Sequence, residues 1–427
     1  MIIELLNTGS ELMLGRVLNT HQQWLCRQLA DQGWVVSRQV AVPDTGPAIQ
    51  NAVRESLSRA DLVITTGGLG PTSDDITRDL IAELLGKRLV EDAGVLARLQ
   101  GFFSSRGRPM PVRTRLEAQV PEGATVLPND FGTAPGLAMQ LKPNPFRPGG
   151  ALSWLVMLPG PPRELRPMFT NSVLPLLQQQ LPPAAFVCCT LRITGLGESV
   201  VEEKVSGPLQ EFVSAGLELG YCARPGQVDV RLAARGPAAR DLVARAETAA
   251  RSALKGYIYG IEEEDIAQTV IQLLASLNQK LALAESCTGG FISHRLTNVP
   301  GASAVLLAGL VTYSNDAKTR FLGVKPQTLA DHGAVSEAVA REMAEGARRE
   351  AGADYAIAVT GIAGPSGGSP EKPVGTVFIG LAGPSGTRVV RQANPWDRET
   401  FKFVTSQQTL DLLRRAVIEN RDKLARG

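Results

Sequence analysis

The sequence has few of the residues from which metal, redox and nucleic-acid sites are usually built. Only three histidines occur in 427 residues, far apart in the sequence, so a histidine-based catalytic triad has little support. The five cysteines form no CxxC pair and no metal-ligand spacing, which predicts reduced thiols in a cytoplasmic protein. Aromatic residues make up 5% of the chain, which argues against base-stacking platforms for single-stranded nucleic acid.

An excess of charge of one sign is also missing. The 44 basic and 42 acidic residues give a formal net charge of +2, and they are well mixed along the chain. The composition therefore predicts neither direct nucleic-acid binding nor a membrane-surface role. Because the chain has no long apolar run and no basic leader, we expect neither a transmembrane helix nor a signal peptide.

What the chain does contain is an alternation of short apolar runs with helical patterns, typical of βαβ units and a largely parallel sheet. We predict a multidomain α/β protein: a parallel-sheet domain over residues 1–170, a small α+β domain over 171–256 and a second α/β domain over 262–427. The acidic segment Tyr257–Glu264 is predicted to be a solvated linker or helix start, and Pro143–Gly150 an exposed loop.

Three polar residues of the third domain each follow a predicted strand: Ser286, Tyr313 and Thr360. In open α/β sheets, ligands bind outside the carboxyl ends of the strands. We therefore expect these three side chains to line one site.

The segment ESCTGG contains two neighbouring candidate nucleophiles, Ser286 and Cys287. Thr288, Gly289 and Gly290 follow them, and a glycine turn lets the backbone approach a ligand with N–H groups aimed at it. Such groups could stabilise an oxyanion beside Ser286. The alternative is that Ser286 is only a helix cap and that Cys287 only packs against the next helix.

Lys318 is the candidate base for Ser286. Ser314 or Asn315 makes a good helix cap, which places Lys318 in the first turn, where its charge faces the positive end of the helix dipole. Partial burial would lower its pKa further, and a lysine near neutrality can take a proton from a serine hydroxyl. The alternative is an ordinary surface lysine.

The first domain has a glycine-rich turn, GGLGPTSDD, directly after an apolar strand. Glycines allow close approach to a phosphate, and adjacent carboxylates suit a divalent cation that bridges to it. The turn is not a Walker A loop, and one aspartate could simply cap the following helix. The candidate residues for these phosphate or metal roles are Gly67, Gly68, Gly70, Thr72, Asp74 and Asp75.

Five ordered segments of the third domain together resemble the carboxy-terminal domain of the CinA family: AESCTGG, VTYSNDAK, HGAVSE, TGIAGPSGG and KPVGTVFIGLA. The resemblance implies hydrolysis of the carboxamide of nicotinamide mononucleotide to nicotinate mononucleotide and ammonia, without a cofactor. It implies that Ser286 is the nucleophile and Lys318 its base, with Tyr313 as a further catalytic residue. It also implies a substrate-binding set of Thr288, Gly289, Gly290, Thr360, Gly361 and Arg398. The usual GDR of the family is WDR here, at Trp396–Arg398.

The segments NTGSEL, GGLGPTSDD and FGTAPG resemble the amino-terminal domain of the same family, which is similar to the molybdopterin-binding MoaB/MogA fold. That resemblance implies ADP-ribose pyrophosphatase activity, with a divalent metal (Co or Mg) on Asp74 and Asp75, potassium, and Ser10 near the phosphates. It also implies a homodimer. The family usually has NTN where this chain has NTH, at Asn19–His21. The alternative is an accessory protein that binds molybdopterin or a nucleotide without turnover.

Overall fold

The computed structural model describes residues 1–181 and 186–424, and it confirms a multidomain α/β fold. The chain forms two compact units. The first comprises Met1–Val187 with Arg235–Pro237, and the second comprises Cys188–Ala234 with Ala238–Gly427. The predicted middle and carboxy-terminal domains thus share the second unit, and their separate boundaries stay predictions.

The first unit is built around one six-stranded sheet. Its elements in chain order are β1 (Ile3–Thr8), α1 (Ser10–Met13), α2 (Thr20–Ala30), β2 (Arg38–Val42), α3 (Gly46–Leu57), β3 (Leu62–Thr66), α4 (Thr77–Leu84), β4 (Leu89–Glu91), α5 (Ala93–Ser104), β5 (Gln119–Pro121), β6 (Thr125–Leu127), β7 (Gly136–Leu141), β8 (Ser153–Leu158), α6 (Pro162–Met168) and α7 (Leu174–Gln180).

The strand order of this sheet is β2-β1-β3-β8-β7-β6. Strands β2, β1, β3 and β8 run parallel, whereas β7 and β6 pair antiparallel. Every residue of β1, β3 and β8 is buried, because helices cover both faces of a parallel sheet. One core includes buried side chains of α3, α4 and α5, and the other includes those of α2, α6 and α7. The glycine-rich turn follows β3 directly.

The second unit contains two sheets. Its elements in chain order are β9 (Phe186–Ile193), α8 (Glu198–Ser214), β10 (Glu218–Arg224), β11 (Gln227–Arg235), α9 (Ala239–Ala253), β12 (Ile258–Ile261), α10 (Ile266–Ser276), β13 (Leu281–Glu285), α11 (Phe291–Thr297), β14 (Leu306–Val311), α12 (Asn315–Leu322), α13 (Pro326–His332), α14 (Glu337–Ala351), β15 (Tyr355–Gly361), β16 (Thr376–Gly383), β17 (Gly386–Ala393) and α15 (Arg398–Leu424).

The larger sheet of this unit has the order β14-β13-β15-β16-β17. Strands β14, β13 and β15 are parallel, so their carboxyl ends meet at one edge. Cores on the two faces hold the sheet between α10, α11 and α15 on one side and α12 and α14 on the other. This topology places Ser286, Tyr313 and Thr360 at the same edge, as predicted.

One predicted element is wrong. The segment Tyr257–Glu264 is not a solvated linker, because β12 lies within it and pairs antiparallel with β9 in the smaller sheet, of order β10-β11-β9-β12. Tyr259 is buried in this strand, and its hydroxyl donates to Gln227 Oε1 at 2.8 Å. In the part of the chain that the structure describes, no helix combines the length and the apolar character needed to cross a bilayer.

Candidate active sites

Ser286 and Lys318 meet in the interior of the second unit. Ser286 follows β13 and is anchored there by its N–H, which donates to the Val359 carbonyl of β15 at 2.9 Å. Lys318 lies in the first turns of α12, which begins after the Ser314 cap, as predicted. The Lys318 Nζ is 3.2 Å from the Ser286 Oγ, and the lysine is 1% exposed. The surface interpretation of Lys318 is therefore wrong.

The surroundings of Lys318 suit a neutral amine. Its Nζ also donates to the carbonyl oxygens of Thr312, at 2.9 Å, and Tyr313, at 3.1 Å. Burial lowers the pKa of the lysine from its ordinary value of 10.5. A neutral amine has two N–H groups and one lone pair. If the two N–H groups of the neutral form bond the two carbonyls, its lone pair faces the Ser286 hydroxyl, which is the geometry of a base beside its nucleophile.

The turn that carries Ser286 is held by Glu285, the last residue of β13. Its carboxylate is 1% exposed and accepts five hydrogen bonds of 2.7–3.1 Å. The donors are the Thr288 hydroxyl, the Ser293 hydroxyl and the N–H groups of Gly290, Ile292 and Ser293. Glu285 thus fills the amino-terminal end of α11, and Ser286 is not its cap.

The N–H groups of Gly289 and Gly290 were predicted to point at a ligand, and this prediction is wrong. The Gly290 N–H donates to Glu285 at 3.1 Å, and the Gly289 N–H donates to the Ser286 carbonyl at 3.1 Å. Both groups are used inside the turn and do not point at a ligand. Both glycines have positive φ, 61° and 91°, so their contribution is the shape of the turn. The Thr288 hydroxyl is likewise directed at Glu285.

Cys287, the rival nucleophile, is a core residue. It is 6% exposed and belongs to the apolar core on the α10, α11 and α15 face of the sheet. Burial raises the pKa of its thiol to about 12, and the nearby Glu285 charge contributes to the rise. Because the thiolate is the nucleophilic form, the packing interpretation of Cys287 is confirmed.

The outer part of the site is formed by residues distant in sequence. Tyr313 is 61% exposed, and its hydroxyl accepts from Arg398 Nη2 at 2.9 Å. The Nη1 of the same arginine donates to the Gly364 carbonyl at 3.0 Å. An exposed guanidinium between a tyrosine and a glycine-rich loop can meet a phosphate from solvent.

Thr360 and Gly361 lie deeper, at the end of β15. The Thr360 hydroxyl donates to the Ala334 carbonyl at 2.8 Å and is 1% exposed. A Cβ on Gly361 would stand 2.7 Å from the Thr376 carbonyl, so close strand packing alone requires this glycine. Their substrate-binding roles stay predictions.

The first unit has its own cavity, of about 350 Å³, at the carboxyl ends of β1 and β3. The predicted phosphate and metal residues that line it are Gly67, Gly68, Gly70, Asp74 and Asp75. Gly67 has a φ of 100°, and a Cβ there would stand 2.7 Å from the Thr8 carbonyl, so no other residue fits this turn without strain.

Two further predicted residues of this site have partners within the protein. Ser10 and Asp44 exchange hydrogen bonds, from the Ser10 N–H to the carboxylate at 2.7 Å and from the Asp44 N–H to the hydroxyl at 3.2 Å. Thr72 gives its N–H and its hydroxyl to Asp75. Asp75 therefore stabilises the turn and does not cap α4. Neither Ser10 nor Thr72 is among the residues that line the cavity.

The carboxylates of Asp74 and Asp75 fit a divalent cation such as Mg²⁺ that needs few protein ligands. Among residues 1–181 and 186–424, no three Asp, Glu, His or Cys side chains are arranged to hold an ion. Mg²⁺ often takes only one or two protein carboxylates and completes its shell with water and substrate phosphate oxygens. The pair thus fits a cation that arrives with a phosphate.

Comparison with known proteins identifies the family. Three family models match: the CinA C-terminal domain over residues 263–417, the damage-inducible protein CinA KH domain over 189–260, and the "Probable molybdopterin binding domain" over 4–179. A CinA-like protein of Akkermansia muciniphila is 45% identical over 96% of this chain and 95% of its own length. Another, of Gemmatimonas aurantiaca, is 41% identical over 97% and 96%.

The chain belongs to the CinA family. Among solved structures, the competence/damage inducible protein CihA of Agrobacterium tumefaciens is 42% identical, with 35% of this chain and 91% of that chain covered and a TM-score of 0.33.

The two motifs at which this chain differs from the usual family pattern, NTH and WDR, each begin a helix through a residue that does not differ. In NTH, Asn19 caps α2 by accepting from the Gln22 N–H at 3.3 Å, so the motif works as a helix start. In WDR, Asp397 accepts from the N–H groups of Glu399 and Thr400, each at 3.1 Å, and so begins α15. The cap holds the amino-terminal end of the helix that carries Arg398.

Among the acidic residues of these sites that were not predicted from the sequence, Glu285 and Glu117 are the most buried. Glu285 ends an apolar strand, and an acidic residue in a buried strand was the available signal for a buried acceptor. Glu117 lines the cavity of the first unit at 1% exposure. Its segment, RTRLEAQ, is polar enough to indicate a surface helix, so the sequence contains no signal for it.

Proposed function

We propose that this CinA protein is a nicotinamide mononucleotide amidohydrolase that uses a serine nucleophile and a lysine base. The observation that carries the proposal is the buried 3.2 Å pair of Lys318 Nζ and Ser286 Oγ, with the lysine oriented by two carbonyls. The substrate follows from the family resemblance, and the exposed Arg398 supports it because a mononucleotide phosphate needs a cation near the site.

Each step uses a group of this site. Neutral Lys318 takes the proton of the Ser286 hydroxyl as the Oγ attacks the carboxamide carbon. The lysine ammonium then gives that proton to the leaving nitrogen, and ammonia departs from an acyl-serine ester. A water, deprotonated by the neutral lysine, attacks the ester, and the lysine ammonium returns that proton to the leaving Ser286 Oγ; nicotinate mononucleotide is released and Ser286 and neutral Lys318 are restored. No cofactor is needed.

The experiment uses the purified full-length chain with nicotinamide mononucleotide, and measures ammonia and nicotinate mononucleotide together. The proposal predicts equal amounts of the two products. It predicts that Lys318→Ala lowers kcat by about 10² to 10⁴, the usual worth of a general base. A folded wild type that releases no ammonia would refute the amidase proposal.

For the first unit we propose a metal-dependent ADP-ribose pyrophosphatase that yields AMP and ribose 5-phosphate. Its support is the cavity in which Gly67 and Gly68 lie beside Asp74 and Asp75. A divalent ion (Mg or Co), with potassium, would neutralise phosphate charge there. Hydrolysis of ADP-ribose that requires added Mg²⁺ and is lost in Asp75→Asn tests the proposal. Binding without turnover would favour the alternative, a molybdopterin- or nucleotide-binding accessory domain.

Two further proposals concern the protein as a whole. The five cysteines all lie among the described residues and form no disulfide there, which supports a reducing, cytoplasmic location. The homodimer implied by the family resemblance is a proposal that light scattering of the purified chain tests directly. A monomeric mass at assay concentration would contradict it.

A further inference from the structure

The first unit has a second cavity, which lies beside the one at the carboxyl ends of β1 and β3. We call the two the α5 cavity and the β1–β3 cavity. Helix α5 and the two residues after it form one wall of the α5 cavity, and the segment between Val126 and Pro135 forms the other. The volume is about 330 Å³, within the range of about 300–1,000 Å³ that is typical of small-molecule sites.

A single chain segment separates the two cavities. Thr133 lines both of them, and its hydroxyl donates at 3.0 Å to Glu117, a residue of the β1–β3 cavity. Gly132 lines the α5 cavity, and a Cβ at this position would overlap the carboxylate of Glu164, which also lines the β1–β3 cavity. The segment is therefore a thin partition, and a ligand with its phosphates on one side can extend over it to the other.

The lining of the α5 cavity suits a flat group with apolar faces. Six of its side chains are apolar: Val95, Leu99, Phe102, Val126, Pro128 and Pro135. The Phe102 ring is half-buried, and the guanidinium carbon of Arg106, which also lines the cavity, lies 3.6 Å from the ring centroid. Aromatic rings and guanidinium planes are the groups on which nucleobases stack in proteins.

The same cavity offers polar groups to the edge of a base. Arg98 Nη2 donates to the Asn129 carbonyl at 2.6 Å and to the Asp130 carboxylate at 3.1 Å, and all three residues line the cavity. The Asp130 side chain is 71% exposed, so its carboxylate can accept from a further donor, such as the exocyclic amino group of a purine. A phosphate fits less well, because this carboxylate stands beside the arginine. A ribose also fits less well, because its hydroxyls would face the six apolar side chains.

We propose that the α5 cavity binds the purine base of a nucleoside diphosphate whose phosphates lie in the β1–β3 cavity. The base stacks on Phe102 and Arg106, and its amino group donates to Asp130. The inference rests on the proposed function insofar as the ligand of the first unit contains a pyrophosphate joined to a nucleoside. It extends that function by giving the unit a means to bind a purine nucleotide in preference to other pyrophosphates.

The test measures the Kd of ADP and the Kd of inorganic pyrophosphate, each with Mg²⁺, by calorimetry on the full-length chain. Phe102→Leu keeps an apolar side chain but removes the aromatic ring. We expect it to bind ADP about tenfold more weakly than the wild type, the worth of one stacked base, and to bind pyrophosphate within about twofold of the wild type. The matched control is Phe103→Leu, which changes the neighbouring ring outside the cavity lining and should leave both Kd values within about twofold.

A second variant, Gly101→Leu, fills the cavity from the side of α5. Gly101 lines the cavity, and a Cβ at this position would meet no atom within 4 Å, so a leucine side chain occupies open space there. Leucine is also a better helix former than glycine, so this variant should fold even if Phe102→Leu does not. We expect ADP binding to weaken at least about tenfold, with pyrophosphate binding unchanged. Gln100→Leu, at an exposed position of the same helix, should change neither Kd.

Three results would overturn the inference. Unchanged ADP binding in either folded variant would show that no base lies in the α5 cavity. Equal weakening of ADP and pyrophosphate binding would show damage to the phosphate site and not the loss of a base contact. Wild-type protein that does not bind ADP would leave the cavity without the proposed ligand.

Turnover of ADP-ribose separates this inference from the pyrophosphatase proposal. Wild-type protein that binds ADP but leaves ADP-ribose intact would refute the pyrophosphatase, while the Phe102 and Gly101 variants would still decide the base contact. Wild-type protein that hydrolyses ADP-ribose, with ADP binding unaffected by both variants, would overturn the base contact and leave the pyrophosphatase in place.

Discussion

The buried carboxyl group of Glu117 leads to a prediction about the stability of the first unit that can be tested without a ligand. The perturbation is Glu117→Gln, which replaces a buried titratable group by a neutral one of the same shape. In the folded first unit, burial raises the pKa of this carboxyl from 4.5 to about 7. That difference corresponds to about 3 kcal/mol between the two protonation states.

The direction of the effect follows from proton linkage. Because the folded state holds this proton more tightly than the unfolded state, the contribution of Glu117 to wild-type stability falls as the pH rises from about 4.5 to about 7. Above that range the loss is complete. Glu117→Gln cannot lose a proton there, so its free energy of unfolding relative to the wild type should increase by up to about 3 kcal/mol between pH 4.5 and pH 8.

The assay is urea unfolding followed by tryptophan fluorescence. Trp24, Trp34 and Trp154 lie in the first unit, and a Trp396→Phe background removes the signal of the second. Val112→Ala, an exposed change without a titratable group in the same segment Val112–Ala118 as Glu117, is the control and should give the same difference at both pH values. A Glu117→Gln difference that is also the same at both pH values would refute the reasoning.

Three predictions concern the second unit. The kcat/KM for nicotinamide mononucleotide should rise with pH and level off with a midpoint below 10.5, because Lys318 must be neutral and burial lowers its pKa; a flat profile would contradict this. Glu285→Gln should lower the free energy of unfolding of this unit by about 3 kcal/mol and reduce kcat more than tenfold, since one amide oxygen cannot accept five donors. Chemical denaturation measures the first effect and steady-state kinetics the second. Wild-type values in both would exclude a positioning role for Glu285. Arg398→Ala should raise the KM at least tenfold with a smaller change in kcat. The control is Arg388→Ala, which removes an exposed arginine elsewhere on the unit and should leave both constants unchanged. An unchanged KM for Arg398→Ala would exclude the phosphate contact.

Much of the Ser286 site could be predicted, because its residues are placed by short sequence spacings and by the strand order of a parallel sheet. Parallel strands place their carboxyl ends together, so an apolar run followed by a polar residue locates Ser286, Tyr313 and Thr360. A serine cap fixes Lys318 in the first turns of α12. Both inferences need only sequence spacing and general rules of the fold.

The rest could not be predicted, because it depends on contacts between residues that lie far apart in the sequence. Arg398 reaches Tyr313 across 85 residues, and no periodicity indicates that pair. Strand β12 is only four residues long, and the acidic run after it suggested solvent. The glycine N–H groups after Ser286 indicated a ligand, but Glu285 takes the Gly290 N–H, because a buried carboxylate needs several donors.

The most direct test of the central claim compares Ser286→Ala with Cys287→Ala, two neighbouring changes in the same turn, by ammonia release from nicotinamide mononucleotide. We predict that Ser286→Ala loses essentially all activity and that Cys287→Ala, whose side chain packs in the core, keeps most of the wild-type kcat. Activity that survives in Ser286→Ala and disappears in a folded Cys287→Ala would contradict the serine-lysine account.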